Sequence, residues 1–263
     1  MTPLFPITLA LYAVSCALYL AHLAGTSDTI ARAARAALLA AFVAHAVDIG
    51  WLCVHGFHPF VNAREALSFA AWLTIGAYLA LTLRYTVPTL GALIVPVAIV
   101  LEVAARVGPT ERGTPTSLLA KAHIGLASAG VALFAVAAGD AAMFLITEAQ
   151  LKRHRLGKVG RKAPGLETLD RINRGCILLG FPLFTVAMVM GAILLTRLPG
   201  GGAHRLLQPE YLMSAVAWAC YAALLVARVT AGWRGRRAAL VTLAGFGAAA
   251  TVLGIYYAHT FRA

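Results

Sequence analysis

Residues 118–147, LLAKAHIGLASAGVALFAVAAGDAAMFLIT, decide the fold of this chain. In these thirty residues only Lys121 and Asp140 carry a formal charge. About 20 mostly apolar residues are enough for a helix to cross the hydrocarbon core of a bilayer. Lipid offers no partner to a backbone amide, so a run of this kind must satisfy its own hydrogen bonds as a helix. The stretch also carries a histidine near its start, His123, and a carboxylate deep inside, Asp140.

Seven further apolar runs lie to either side, at about 5–24, 34–53, 65–84, 88–106, 174–197, 210–230 and 238–260. The expected fold is an all-α integral membrane protein, a bundle of about eight transmembrane helices forming one polytopic domain over residues 1–263. Composition agrees. Hydrophobic residues make up 60% of the chain and charged residues 12%, against about 25% charged in soluble domains. Pro96 and Pro182 fall inside the fourth and sixth runs, where neighbouring helices can satisfy the carbonyls they free. The first run has no Lys or Arg ahead of it and no small-residue cleavage site, so it reads as a spanning helix, not a signal peptide. The fifth continues as a helical pattern to about His154 and is expected to project from the membrane.

The basic residues set the orientation. Fifteen fall after the odd-numbered helices: Arg32, Arg35, Arg84, eight between Lys152 and Arg174, then Arg228, Arg234, Arg236 and Arg237. Seven fall on the other side: Arg64, Arg106, Arg112, Lys121, Arg197, Arg205 and Arg262. Cytoplasmic loops carry the excess of Lys and Arg, so the first set is cytoplasmic and both termini of this chain face out. His55, His58, His123, His204 and His259 then lie at or near the outer face, His22 and His154 at the cytoplasmic face, and His45 within the second helix.

Several function classes recede. The net charge of +12 is spread over short loops beside apolar helices, so it fits anionic lipid, above all at the basic loop 151–174, and not nucleic acid. Cys16, Cys53, Cys176 and Cys220 form no C-x-x-C or haem-attachment motif and read as small apolar residues. The Gly200–Gly202 loop lacks the Lys-Ser/Thr of a phosphate cradle. No nucleophile arrangement, catalytic carboxylate pair or H-E-x-x-H is visible, and no stand-alone enzyme is expected.

His123 and His259 each sit where an apolar helix meets the outer face, and neutral imidazole is a good ligand for iron. Two imidazoles at one depth could hold a haem iron from both sides, or could simply be solvated. His45 and Asp48 share a helix face, either as a proton or ligand site or as hydrogen-bonded groups facing the bundle interior. Glu102 has Arg106 one turn on to neutralise it, whereas Asp140 has no local partner and is expected to take an interhelical hydrogen bond.

Several motifs follow one another in a familiar order. Gly56-Phe57-His58-Pro59-Phe60-Val61-Asn62-Ala63-Arg64-Glu65 is similar to the G-x-x-P-x-x-N-x-x-E segment of the cytochrome c assembly family, the CcsA/CcmC/HemX group of membrane haem-handling proteins. His123-Ile124-Gly125 resembles the family's outer-face histidine. Leu166-Glu167-x-Leu169-Asp170 before Gly180-Phe181-Pro182 resembles its L-D…G-F-P entry to a helix. Trp218-x-x-Tyr221 and then Gly232-Trp233-Arg234-Gly235-Arg236-Arg237-Ala238-Ala239 resemble its W-x-x-Y…G-W-R-G-R-R-A-A run. The likeness runs from about residue 40 to 260. It implies haem b, bound non-covalently, with His123 and His259 as axial ligands and His45 as the family's intramembrane histidine. It also implies other cytochrome c assembly proteins as partners and the cytoplasmic membrane as location. Two departures stand out. The loop Arg197–Glu210 has no Trp where synthetase members carry a tryptophan-rich WWD segment, and Val226 stands where a second intramembrane histidine belongs. The chain resembles the HemX/YpjD-like branch, which lacks that segment. A non-catalytic regulator or scaffold of a haem-pathway complex is the competing expectation.

Overall fold

The computed structural model describes residues 4–25, 27–60, 62–107, 117–153, 163–197 and 207–260, with the side chains at 63, 253 and 256–260 outside that description. Eight helices follow one another: α1 Phe5–Ala24, α2 Asp28–Val54, α3 Ala63–Leu81, α4 Pro88–Val107, α5 Leu118–Lys152, α6 Leu166–Thr196, α7 Pro209–Thr230 and α8 Arg236–Thr260. Among the described residues there is no strand. Pro96 and Pro182 are both accommodated within helices. Local chemistry fixes two of the starts. Asn62 accepts a hydrogen bond from the Glu65 amide (2.8 Å) to open α3, and Ser117 accepts one from the Ala120 amide (3.2 Å) to open α5.

Two helices outrun their apolar stretches. α2 begins at Asp28, not near 34, because Ala and Arg are strong helix formers even outside lipid. α6 begins at Leu166, not near 174, and its first turns bury Leu169, Ile172 and Asn173 at helical spacing.

Six helices (α1, α2, α4, α5, α6 and α7) are long and apolar enough by themselves to cross a membrane. α3 falls short of that measure because Arg64 and Glu65 occupy its first turn. The distribution of polarity points the same way. Leu39, Val43, Val47 and Trp51 form an exposed apolar stripe along α2, while Ala41, His45 and Asp48 on its other side are fully buried. Apolar outside and polar inside is the pattern of a helix that faces lipid and keeps its ionisable groups in the bundle.

α5 is the hub and packs against α3, α4, α6 and α8. α1 to α4 form one group around it, and α6 to α8 form another. Lipid tails are as apolar as leucine, so helices associate in membranes through close van der Waals contact at small residues. The α5–α6 seam shows this. A Cβ on Gly130 would lie 3.2 Å from the Gly180 carbonyl, and one on Gly180 would lie 3.0 Å from the Phe134 ring. Phe134 in turn stacks on Tyr221 of α7, with ring centroids 3.8 Å apart. Cys16, Cys53, Cys176 and Cys220 are unbridged, as expected.

Candidate functional site

His123 lies in the second turn of α5, half-buried against α6. Its Nδ1 is 2.7 Å from the carbonyl oxygen of Ala187. A carbonyl can only accept, so Nδ1 carries the proton and Nε2 holds a free lone pair. No partner for Nε2 is found among the described residues. Gly191, one turn beyond Ala187, is what lets the ring come so close. A Cβ there would stand 2.8 Å from Cε1 and 3.3 Å from Nδ1 of the imidazole. One nitrogen is thus oriented by a backbone carbonyl, and the other has no partner among the described residues.

His259 is in the last turn of α8, and its side chain lies outside the described residues. Its level along the helix can still be reckoned. Asp140 of α5 and Ala239 of α8 line the same small cavity. At 1.5 Å per residue, His123 lies about 26 Å from that level along α5 and His259 about 30 Å along α8. The two helices pack against each other. His204 and Arg205 lie outside the described residues, as do Arg112 and His154. His55 folds back on its own helix. Its Nδ1 meets the Trp51 carbonyl (2.8 Å), and its ring stacks on Trp51.

His45 stands apart from this pair, in a fully buried polar cluster among α1 to α4. Its Nδ1 is 2.9 Å from the Tyr12 hydroxyl. Its Nε2 is 2.9 Å from Ser68 Oγ and 3.3 Å from Glu102 Oε2. Arg106 donates to Asp48 (2.9 Å) and to Glu102 (3.3 Å). The expected Glu102–Arg106 neutralisation is present, and Arg106 also reaches across to α2. His45 and Asp48 face the bundle interior, each bonded to other helices. Both nitrogens of His45 are engaged, so it can take iron only by exchanging one of these partners.

Asp140 corrects an expectation. The interhelical hydrogen bond predicted for it is not found: Asp140 is fully buried, and neither carboxyl oxygen has a partner among the described residues. The polar network nearby belongs to other residues. Arg228 donates to Asp170 (3.2 Å) and to Asn173 (2.9 Å), and the Gly235 amide donates to Asp170 (3.2 Å). The Asp170 of the L-E-x-L-D motif and the Gly235 of the G-W-R-G run thus meet, which the sequence alone did not indicate.

Among the described residues, no group of three or more His, Cys, Asp or Glu is placed to hold a bare metal ion. One or two imidazoles suffice for an iron already held by a porphyrin.

The chain matches the family model described as cytochrome C assembly protein over residues 9–257. Among curated proteins it is similar to the cytochrome c biogenesis protein CcsA of Chlamydomonas reinhardtii, 25% identical over 202 residues, covering 73% of this chain and 56% of that one. It is 37% identical over 81 residues to CcsA of Synechococcus elongatus, covering 31% of this chain and 24% of that one. For CcsA of Gloeobacter violaceus the figures are 38% over 90 residues, 34% and 26%. These matches span between about a quarter and just over half of the relatives' own length. The match across nearly the whole chain, on a multi-pass helical bundle with the family's motifs in order, makes this protein a member of the cytochrome c assembly protein family.

Proposed function

We propose that this chain is a membrane haem-handling protein that supports cytochrome c maturation, holding haem b non-covalently at its outer face between His123 and His259. The observation that carries the reading is the His123 ring, whose Nδ1–H is donated to Ala187 while Nε2 is left open. A porphyrin buries a large apolar face and suits a crevice between helices. Its propionates want cations at the wet rim: Lys121 is exposed there, Arg64 would have to share its guanidinium with Glu65, and Arg205 lies outside the described residues. Bound haem supplies a redox-active iron. The chain's own residues orient one ligand, exclude water from the apolar face and neutralise the rim. His45 enters this contact only by giving up Tyr12, or Ser68 with Glu102, and so acts after the outer pair.

The excess of basic residues on one side supports a cytoplasmic-membrane location with anionic lipid at the loop 151–174, and family membership supports other assembly proteins as partners. A second reading, a non-catalytic regulator or scaffold, is favoured by the Trp-free loop Arg197–Glu210.

The test is the absorption spectrum of the detergent-purified protein, oxidised and reduced, beside His123→Ala and His259→Ala. A six-coordinate haem spectrum, lost or converted in each variant, is the expected result. A colourless protein that also fails to take up added haem overturns the haem reading and leaves the scaffold.

A further inference from the structure

At the opposite end of the bundle from His123, α5, α6, α7 and the α7–α8 turn close around Asp140. The carboxyl is fully buried and lacks a partner for either oxygen. It lines a cavity of about 10 Å³ with Ala141, Phe144, Asp170, Asn173, Gly235 and Ala239. That volume is about the least that admits one water molecule.

The charges facing this cavity do not balance. Asp170 is matched by Arg228 of α7, which donates to both of its oxygens. Asn173 is neutral: its amide donates one hydrogen to the Ala137 carbonyl (3.1 Å), and its oxygen takes Arg228 and Thr242, so it brings no positive charge to the cavity. From α6 the other titratable neighbour is Cys176, a buried thiol, which brings no positive charge. An ionised Asp140 would therefore be a second, uncompensated negative charge in a low-dielectric interior, and a group so placed neutralises instead. A dehydrated metal cation fits poorly. The lining offers it the two carboxylates alone, with apolar side chains on the remaining sides and Arg228 nearby.

We propose that this cavity is a binding site for one proton and one water: Asp140 is a neutral carboxylic acid, and the water bridges it to Asp170. The Asp140 O–H donates to the water, and the water's two hydrogens go to the other Asp140 oxygen and to a lone pair that Asp170 has left after Arg228 and Gly235. The site thereby joins the middle of α5 to the turn that carries Gly232 and Gly235. It does so independently of haem.

The experiment uses full-length protein in lipid nanodiscs with carbon-13 confined to aspartate, read by infrared spectroscopy at neutral pH. The chain has only four aspartates, Asp28, Asp48, Asp140 and Asp170. The expected result is a protonated-carboxyl band, shifted by deuterium exchange, that is lost in Asp140→Asn and kept in Asp28→Asn, in Asp48→Asn and in the double variant Asp170→Asn/Arg228→Gln, which removes the ion pair as a unit and leaves Asp140 without a cation. Should Asp140→Asn fail to fold, survival of the band in the other three assigns it by elimination. No such band in the wild type, its survival in a folded Asp140→Asn, or its loss in Asp48→Asn alone overturns the proposal.

Discussion

Gly191→Ala is the sharpest probe of the outer-face histidine, because it leaves every ligand in place. The added Cβ would stand 2.8 Å from His123 Cε1, where carbon atoms prefer about 3.5–4.0 Å. The ring must retreat by about 0.7 Å or more, which takes the 2.7 Å contact with Ala187 beyond the range of a good hydrogen bond. Overpacking of this kind costs about 1–3 kcal/mol, while replacing Gly by Ala within a helix returns about 1 kcal/mol. Net destabilisation is therefore about 0–2 kcal/mol, and the variant folds. Haem affinity is expected to fall about 10- to 100-fold, the usual cost of disturbing the group that orients a ligating histidine. Haem titration by absorbance, paired with thermal unfolding of the haem-free protein, separates the two effects. Unchanged haem affinity and spectrum in a folded Gly191→Ala protein would refute the idea that the Ala187 carbonyl prepares His123 for iron.

Other perturbations follow from the same geometry. Arg106→Ala strands Asp48 and Glu102, both buried, and is expected to cost about 3–5 kcal/mol in thermal unfolding in detergent; a loss below about 1 kcal/mol would mean the cluster does not brace α1 to α4. Gly235 has φ +63°, its amide holds Asp170, and a Cβ would meet the Phe144 ring at 3.3 Å, so Gly235→Ala should lose about 1–2 kcal/mol or more. Gly232, at φ +62° with nothing within 4 Å, should accept Asn within about 0.5 kcal/mol. Equal effects at the two glycines would contradict the close approach of Gly235 to the Phe144 ring.

The helices were legible because a membrane makes each one self-sufficient: length and apolarity announce it without knowledge of its neighbours. Partnerships within one helix were legible too. Glu102 and Arg106 are one turn apart, and Arg106 does neutralise Glu102. What the sequence could not show depends on how helices cross. Asp48 and Arg106 are 58 positions apart, and nothing in either helix alone says that they meet. The orientation of His123 hangs on a glycine of another helix 68 positions on, and no motif marks that dependence. Asp140 was misjudged for the same reason. A buried carboxylate in a bundle normally finds a donor, but here Arg228 and the Gly235 amide both go to Asp170 instead.

The two buried polar clusters sit at opposite ends of the molecule, and this makes its stiffness uneven. The α1–α4 group is bolted through Arg106 at the end of the bundle that carries His123, and the α6–α8 group through Arg228 at the end that carries Gly235. Directional bonds to charged groups resist shear far more than dispersion contacts do. The outer end of the α6–α8 group, which carries Ala187, Gly191 and the last turn of α8, has no such bolt among the described residues. Under the proposed function, haem held at that end would be admitted and let go by a small splay of helices, with no ion pair broken.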